Sequence, residues 1–273
     1  MGELAGLKVL VTRPAGQGES LAASIAAAGG QASLFPLLTI EPVADPRRQA
    51  EIRHHIQDLD HYQLLIFIST NAARFGLSWI DQYWPQFPTG IDVVAVGPAT
   101  AAALATLPCP IQTSPAGMQS EDILQLPLLN EVAGRKIALF RGVGGRELLA
   151  ETLRQRGAQV DYLETYERRE PDAGGGQLLA MIRKDGINVI IVTSAQMLGV
   201  LGGLIDIKQS GVSLLPLVVP SERIRQAALD AGFVDVHTSG GATDQAIVAA
   251  LTAIAGQHTN TGNNTSNRTD HGG

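Results

Sequence analysis

Hydroxyl, amide and guanidinium side chains recur at the ends of short apolar runs in this chain: Thr12 and Arg13, Ser69 to Asn71, Gly97 to Thr100, Thr113 and Ser114, Arg141 and Gly142, Thr193 and Ser194, Ser221, Thr238 and Ser239. In an open parallel sheet, ligands bind outside the carboxyl ends of the strands, where helix N-termini offer free N–H groups to anions. A rim of this composition suits carboxylate or phosphate. Each Ser or Thr taken singly also reads as a helix cap, so the binding set rests on recurrence. That set is Arg13, Ser69, Thr70, Asn71, Gly97, Thr100, Arg141, Gly142, Ser194 and Ser221. Arg13 and Arg141 follow equivalent apolar runs, and a guanidinium fork matches a carboxylate. Tyr166 and Arg168 share one face of an alternating run.

Other chemistries find little support. Gly142-Val-Gly-Gly-Arg-Glu147 opens like a dinucleotide loop but carries Glu147 where the third glycine belongs. No phosphate-loop lysine motif and no Gly-x-Ser-x-Gly elbow is present, and no histidine is placed to activate a serine. The six histidines have no metal-ligand spacing and read as surface residues. One cysteine, Cys109, excludes disulfide scaffolds and thiolate clusters.

The elements that must position the rim alternate strictly between strand and helix, which predicts parallel sheets with right-handed crossovers. Lys8-Val-Leu-Val-Thr-Arg13 returns as Lys136-Ile-Ala-Leu-Phe-Arg141, each followed by a Gly-rich turn, a helix and a second β run. Leu64 to Ser69 returns as Val189 to Ser194, and Val93 to Gly97 is replaced by Leu217 to Ser221. The expectation is therefore an α/β protein of two similar, doubly wound parallel-sheet domains made by internal duplication. Within the first copy, residues 33–43 read as one strand interrupted by Pro36. The closing helix reads as 245–254, and residues 257–273, with no apolar side chain to bury, read as a disordered tail.

Composition narrows the partners. A length of 273 residues suits about two domains, and 45% hydrophobic with 17% charged residues reads as globular. No apolar run reaches the roughly 20 residues of a membrane span, and no secretory pattern opens the chain, so a cytoplasmic setting without membrane contact is expected. A formal charge of -6 argues against nucleic acid as a partner, yet leaves room for a small anionic ligand in a locally basic site.

Lys8-Val-Leu-Val-Thr-Arg-Pro14, Phe67-Ile-Ser-Thr-Asn-Ala72, Ala95-Val-Gly-Pro-Ala-Thr-Ala101, Arg141-Gly-Val-Gly-Gly-Arg-Glu147, Val160-Asp-Tyr-Leu-Glu-Thr-Tyr166 and Val192-Thr-Ser194 together resemble the uroporphyrinogen-III synthase family. The resemblance runs over residues 7 to 255. It implies a lyase of tetrapyrrole (haem) biosynthesis that closes linear hydroxymethylbilane to uroporphyrinogen III. Water would leave and ring D would invert through a spiro intermediate. It implies no metal or organic cofactor, a monomer, and the preceding pathway enzyme as a candidate partner. It also regroups the halves: residues 1–38 with 171–256 in one domain and 39–170 in the other, joined by a two-stranded β connector, with substrate in a cleft between them. The family's tyrosine falls on Tyr166, expected to face that cleft as a catalytic proton donor or a positioning group. Its threonine falls on Thr100, and its strand-end serines fall on Ser69 and Ser194. Where some members carry a second threonine this chain has Ile224. Two rival readings are a two-lobed, non-catalytic binding protein for a carboxylated small molecule, and a nucleotide-dependent enzyme, which the incomplete glycine fingerprint disfavours.

Overall fold

The protein is described by a computed structural model covering residues 2–114, 120–145 and 147–263. In chain order the elements are β1 (Lys8–Val11), α1 (Glu19–Ala27), β2 (Gln31–Leu34), β3 (Thr39–Pro42), α2 (Pro46–Gln57), β4 (Leu64–Phe67), α3 (Thr70–Tyr83), β5 (Asp92–Ala95), α4 (Pro98–Ala103), β6 (Ile111–Thr113), α5 (Ser120–Ile123) and β7 (Lys136–Gly142). They continue as α6 (Leu148–Gln155), β8 (Gln159–Arg169), α7 (Gly175–Asp185), β9 (Val189–Ile191), α8 (Ala195–Leu204), β10 (Leu217–Val219), α9 (Glu222–Asp230), β11 (Val236–Thr238) and α10 (Asp244–Asn263). Three short 3-10 turns intervene among the described residues.

Two sheets form, in the orders β11-β10-β9-β1-β2 and β3-β8-β7-β4-β5-β6. The chain divides into one unit of residues 1–39 and 169–273 and another of residues 40–168. In the first, β1 pairs in parallel with both β2 and β9, so the opening strand belongs with the C-terminal half of the chain. In the second, β4 lies between β5 and β7, again in parallel. β3 is hydrogen-bonded to β8, and beyond its end the Val43 amide donates to the Thr165 carbonyl at 3.3 Å.

Strand alternation explains the packing. In the first unit Leu10, Ile190 and Leu217 face one way and join residues of α7, α8 and α9. Val9, Val11, Val189 and Ile191 face the other way, towards Leu21 and Ile25 of α1 and Ile247 and Leu251 of α10. In the second unit Leu65, Phe67, Ala138 and Phe140 pack on α2 and α3. Leu64, Ile66, Ile137 and Leu139 pack on α5 and α6. These central strands are thus buried on both faces, which is why they read as unbroken apolar runs.

Two sequence expectations change. The run 33–43 is not one strand: β2 and β3 belong to different sheets, because Pro36 lacks the amide hydrogen a ladder needs and the chain turns away around it. The closing helix does not stop before Gly256 but runs through Asn263. A single glycine costs a helix roughly 1 kcal/mol and does not end it. The remainder of the expected tail lies outside the described residues.

Candidate functional site

In the unit of residues 40–168, the carboxyl end of β4 delivers Ser69 to the N-terminus of α3. Its extended backbone lets the hydroxyl cap the helix, accepting from the Ala72 amide at 3.0 Å. The same oxygen lies 3.0 Å from the phenol oxygen of Tyr166. Ser69 is half-buried, whereas Tyr166 is only 2% exposed.

Tyr166 arrives there through an irregularity in β8. Arg141 is level with Glu164, but Gly142 is level with Tyr166, which leaves Thr165 as an extra residue. Val160 and Tyr162 pack on the α6 face, while Leu163 and Tyr166 both pack on the α3 face. Strict alternation cannot place residues 163 and 166 together, and the bulge at Thr165 supplies the missing step. Its cost is visible: the Thr165 hydroxyl is fully buried without a hydrogen-bond partner. Two further residues hold the ring. Phe75 stacks on it at 5.7 Å and 22°, and Gly142 lies so close that a Cβ there would stand 2.6 Å from it. Neither Phe75 nor the bulge is signalled by a motif, whereas Gly142 was singled out only for its place on the rim.

Thr70 and Asn71 occupy the first turn of α3, exposed and half-buried respectively. After β5, Gly97 adopts φ 83°, a conformation that favours glycine, and Pro98 opens α4. Thr100, two residues on, is 3% exposed and joins the interior of its own unit.

In the other unit, Ser194 and Ser221 end β9 and β10 at the N-termini of α8 and α9. Ser194 repeats the cap of Ser69, accepting from the Met197 amide at 3.2 Å. Ser221 has no side-chain cap bond. Ile224 is buried in the core.

The two strand-end arginines are engaged by their own units. Arg13 meets Asp244 at 2.5 Å and donates to the Ala242 carbonyl at 2.7 Å, which ties β1 to the start of α10. Burial raises the Asp244 pKa, but bonds from Ser20 and Arg13 outweigh it and hold the carboxyl below its ordinary value. Arg141 is 1% exposed, lies 3.1 Å from Glu147 and 3.9 Å from Glu164, and stacks on Tyr162 at 4.5 Å. Glu147 is held low first by the bond from Tyr162, then by Arg141. Neither arginine presents the open fork expected from its position at a strand end.

One histidine is less superficial than the sequence suggests. His55 Nδ1 lies 2.8 Å from the Tyr62 hydroxyl, which donates to Asp161 at 2.8 Å. Burial lowers the His55 pKa and raises that of Tyr62. This cluster sits at the amino ends of β4, β7 and β8, opposite the rim.

The two mostly parallel sheets and their flanking helices define a two-unit, doubly wound α/β protein. The family described as uroporphyrinogen-III synthase HemD matches residues 19–249, and the chain belongs to that family. The uroporphyrinogen-III synthase of Escherichia coli is 32% identical over 251 residues, covering 90% of this chain and 100% of that protein. That of Salmonella typhimurium is 32% identical over 248 residues, with the same coverage. Among solved structures, a mutant uroporphyrinogen III synthase from Thermus thermophilus shares the fold with a TM-score of 0.57 at 19% identity, covering 93% of this chain and 100% of that one. A uroporphyrinogen-III synthetase from Helicobacter pylori does so with a TM-score of 0.56 at 12% identity, covering 91% and 99%.

Proposed function

We propose that this chain is a uroporphyrinogen-III synthase in which Ser69 and Tyr166 act as one proton-donating unit. Hydroxymethylbilane loses water, ring D inverts, and the macrocycle closes. The observation that carries this reading is the 3.0 Å bond between Ser69 and Tyr166 at the N-terminus of α3. A serine oxygen has two acceptor sites and one hydrogen. Here one acceptor site takes the Ala72 amide and the other can take the phenol proton, so the serine hydrogen remains to be given outward.

The chemistry balances through this pair. The C–O bond of the hydroxymethyl group breaks as its oxygen takes the Ser69 proton, and Ser69 takes the proton of Tyr166. Electrons from the pyrrole nitrogen, which keeps its hydrogen, give an azafulvenium cation. The substituted carbon of ring D attacks it, forming the spiro intermediate. The bond from that carbon to its original methylene bridge then breaks, and the free carbon of ring D bonds to that methylene. Ring D then loses that carbon's proton, which restores the phenol.

The carboxylates of the substrate are anions suited, in the unit of residues 40–168, to the helix N-terminus behind Thr70 and Asn71. Holding these arms orients the reacting ends. That matters because the linear substrate also closes unaided, without inversion, to the type I isomer. Supplying hydroxymethylbilane and resolving the isomers tests the reading: type III in excess supports it, and type I alone overturns it.

A further inference from the structure

We infer that Arg74 and Arg168, rather than Arg13 and Arg141, are the cations that bind substrate carboxylates beside the reacting pair. The inference rests on the assignment of Ser69 and Tyr166 as the proton-donating unit. The Arg74 guanidinium lies 4.5 Å over the Phe75 ring, Phe75 stacks on Tyr166 at 5.7 Å, and the Arg168 guanidinium lies 5.9 Å from the Tyr166 ring. Each ring of the stack therefore carries a guanidinium of its own.

Availability distinguishes these two from the arginines at the strand ends. Both are exposed, and among the described residues neither side chain has a hydrogen bond or an ion pair. Arg13, Arg48, Arg135 and Arg141 each already face a carboxylate of their own unit. A guanidinium resting on an aromatic face keeps its N–H edge directed outward and loses less freedom when it pairs. Arg74 also lines an open groove of about 560 Å³ with Thr70, Ser78 and Gln82, and with one carboxylate, Asp81, that makes no ion pair with it. An octa-carboxylate substrate held at Ser69 would bring acetate or propionate groups to this edge.

The test is steady-state kinetics with hydroxymethylbilane on Arg74→Met and Arg168→Met, which keep an apolar stem over each ring. Each should raise KM about tenfold, the scale of one lost charge-assisted hydrogen bond. The type III fraction at saturation should be kept, and Arg168→Lys should recover part of the loss. Arg183→Met removes an exposed charge from α7 in the other unit and should leave KM unchanged. Unchanged KM in both stack variants, or an equal rise in Arg183→Met, overturns the inference. If these variants behave as stated but Tyr166→Phe retains full turnover, the carboxylate site stands and the proton-donor reading beneath it fails.

Discussion

The hydroxyl of Ser69 stands 3.0 Å from the phenol oxygen of Tyr166, joining the end of β4 to the bulged end of β8. If the serine acts by passing on the tyrosine's proton, the two side chains are one functional unit and their losses do not add. Ser69→Ala and Tyr166→Phe should each lower kcat by about a hundredfold or more, and the double variant should be no worse than Tyr166→Phe. Ser69→Ala also loses a helix cap, about 1 kcal/mol of stability. Ser69→Thr, which keeps both cap and hydroxyl, should recover activity. Independent, multiplying losses would separate the two residues.

Thr165 offers a prediction of the opposite sign. Its hydroxyl is buried without a partner, and a valine of nearly the same shape removes that polar group. Thr165→Val should therefore raise stability by about 1 kcal/mol in denaturant unfolding, with activity retained. A loss of stability would mean that the hydroxyl is satisfied in solution.

Arg141 is read as a structural charge. Arg141→Met removes the hydrogen bond to Glu147 and the charge beside Glu164, which still faces Arg48, and should cost about 1.5 kcal/mol. A thermal melt together with KM separates the alternatives. Unchanged stability with a raised KM would restore Arg141 as a direct substrate contact.

The His55 cluster makes stability depend on pH. Burial holds the His55 pKa below 6.5, against the raising effect of Asp161, while His54 and Lys136 lower it further and Glu51 raises it. The unfolded chain then binds a proton below pH 6.5 before the folded chain does, so stability is lost as pH falls through that value. Melting temperatures of the protein and of His55→Gln should diverge least on the acid side and most at neutral pH. A constant difference across that range would contradict the linkage.

Much of this architecture is legible in the sequence for a physical reason. Strands buried on both faces must be apolar throughout, and the duplicated Lys8 and Lys136 runs show their register directly. The rim residues are legible because helix caps and turn glycines carry their own chemistry. The bulge is not, since Glu164-Thr165-Tyr166 looks like any alternating stretch, and only the partner strand shows that Gly142 is level with Tyr166. Nor is the engagement of Arg13, whose partner Asp244 lies 231 residues away; Arg141 meets Glu147 only because the glycine turn between them folds back on the strand end, which the residue types do not show. Arg74 sits in a helix with no motif, and its place becomes visible only once Phe75 is seen against Tyr166.

The most direct test follows turnover of hydroxymethylbilane by the purified protein and by Tyr166→Phe, with products resolved into type III and type I. The account predicts type III from the protein, and from Tyr166→Phe a rate lower by about a hundredfold, so that unaided closure makes type I the main product. Type I alone from the unaltered protein, or equal type III rates from the two, would contradict it.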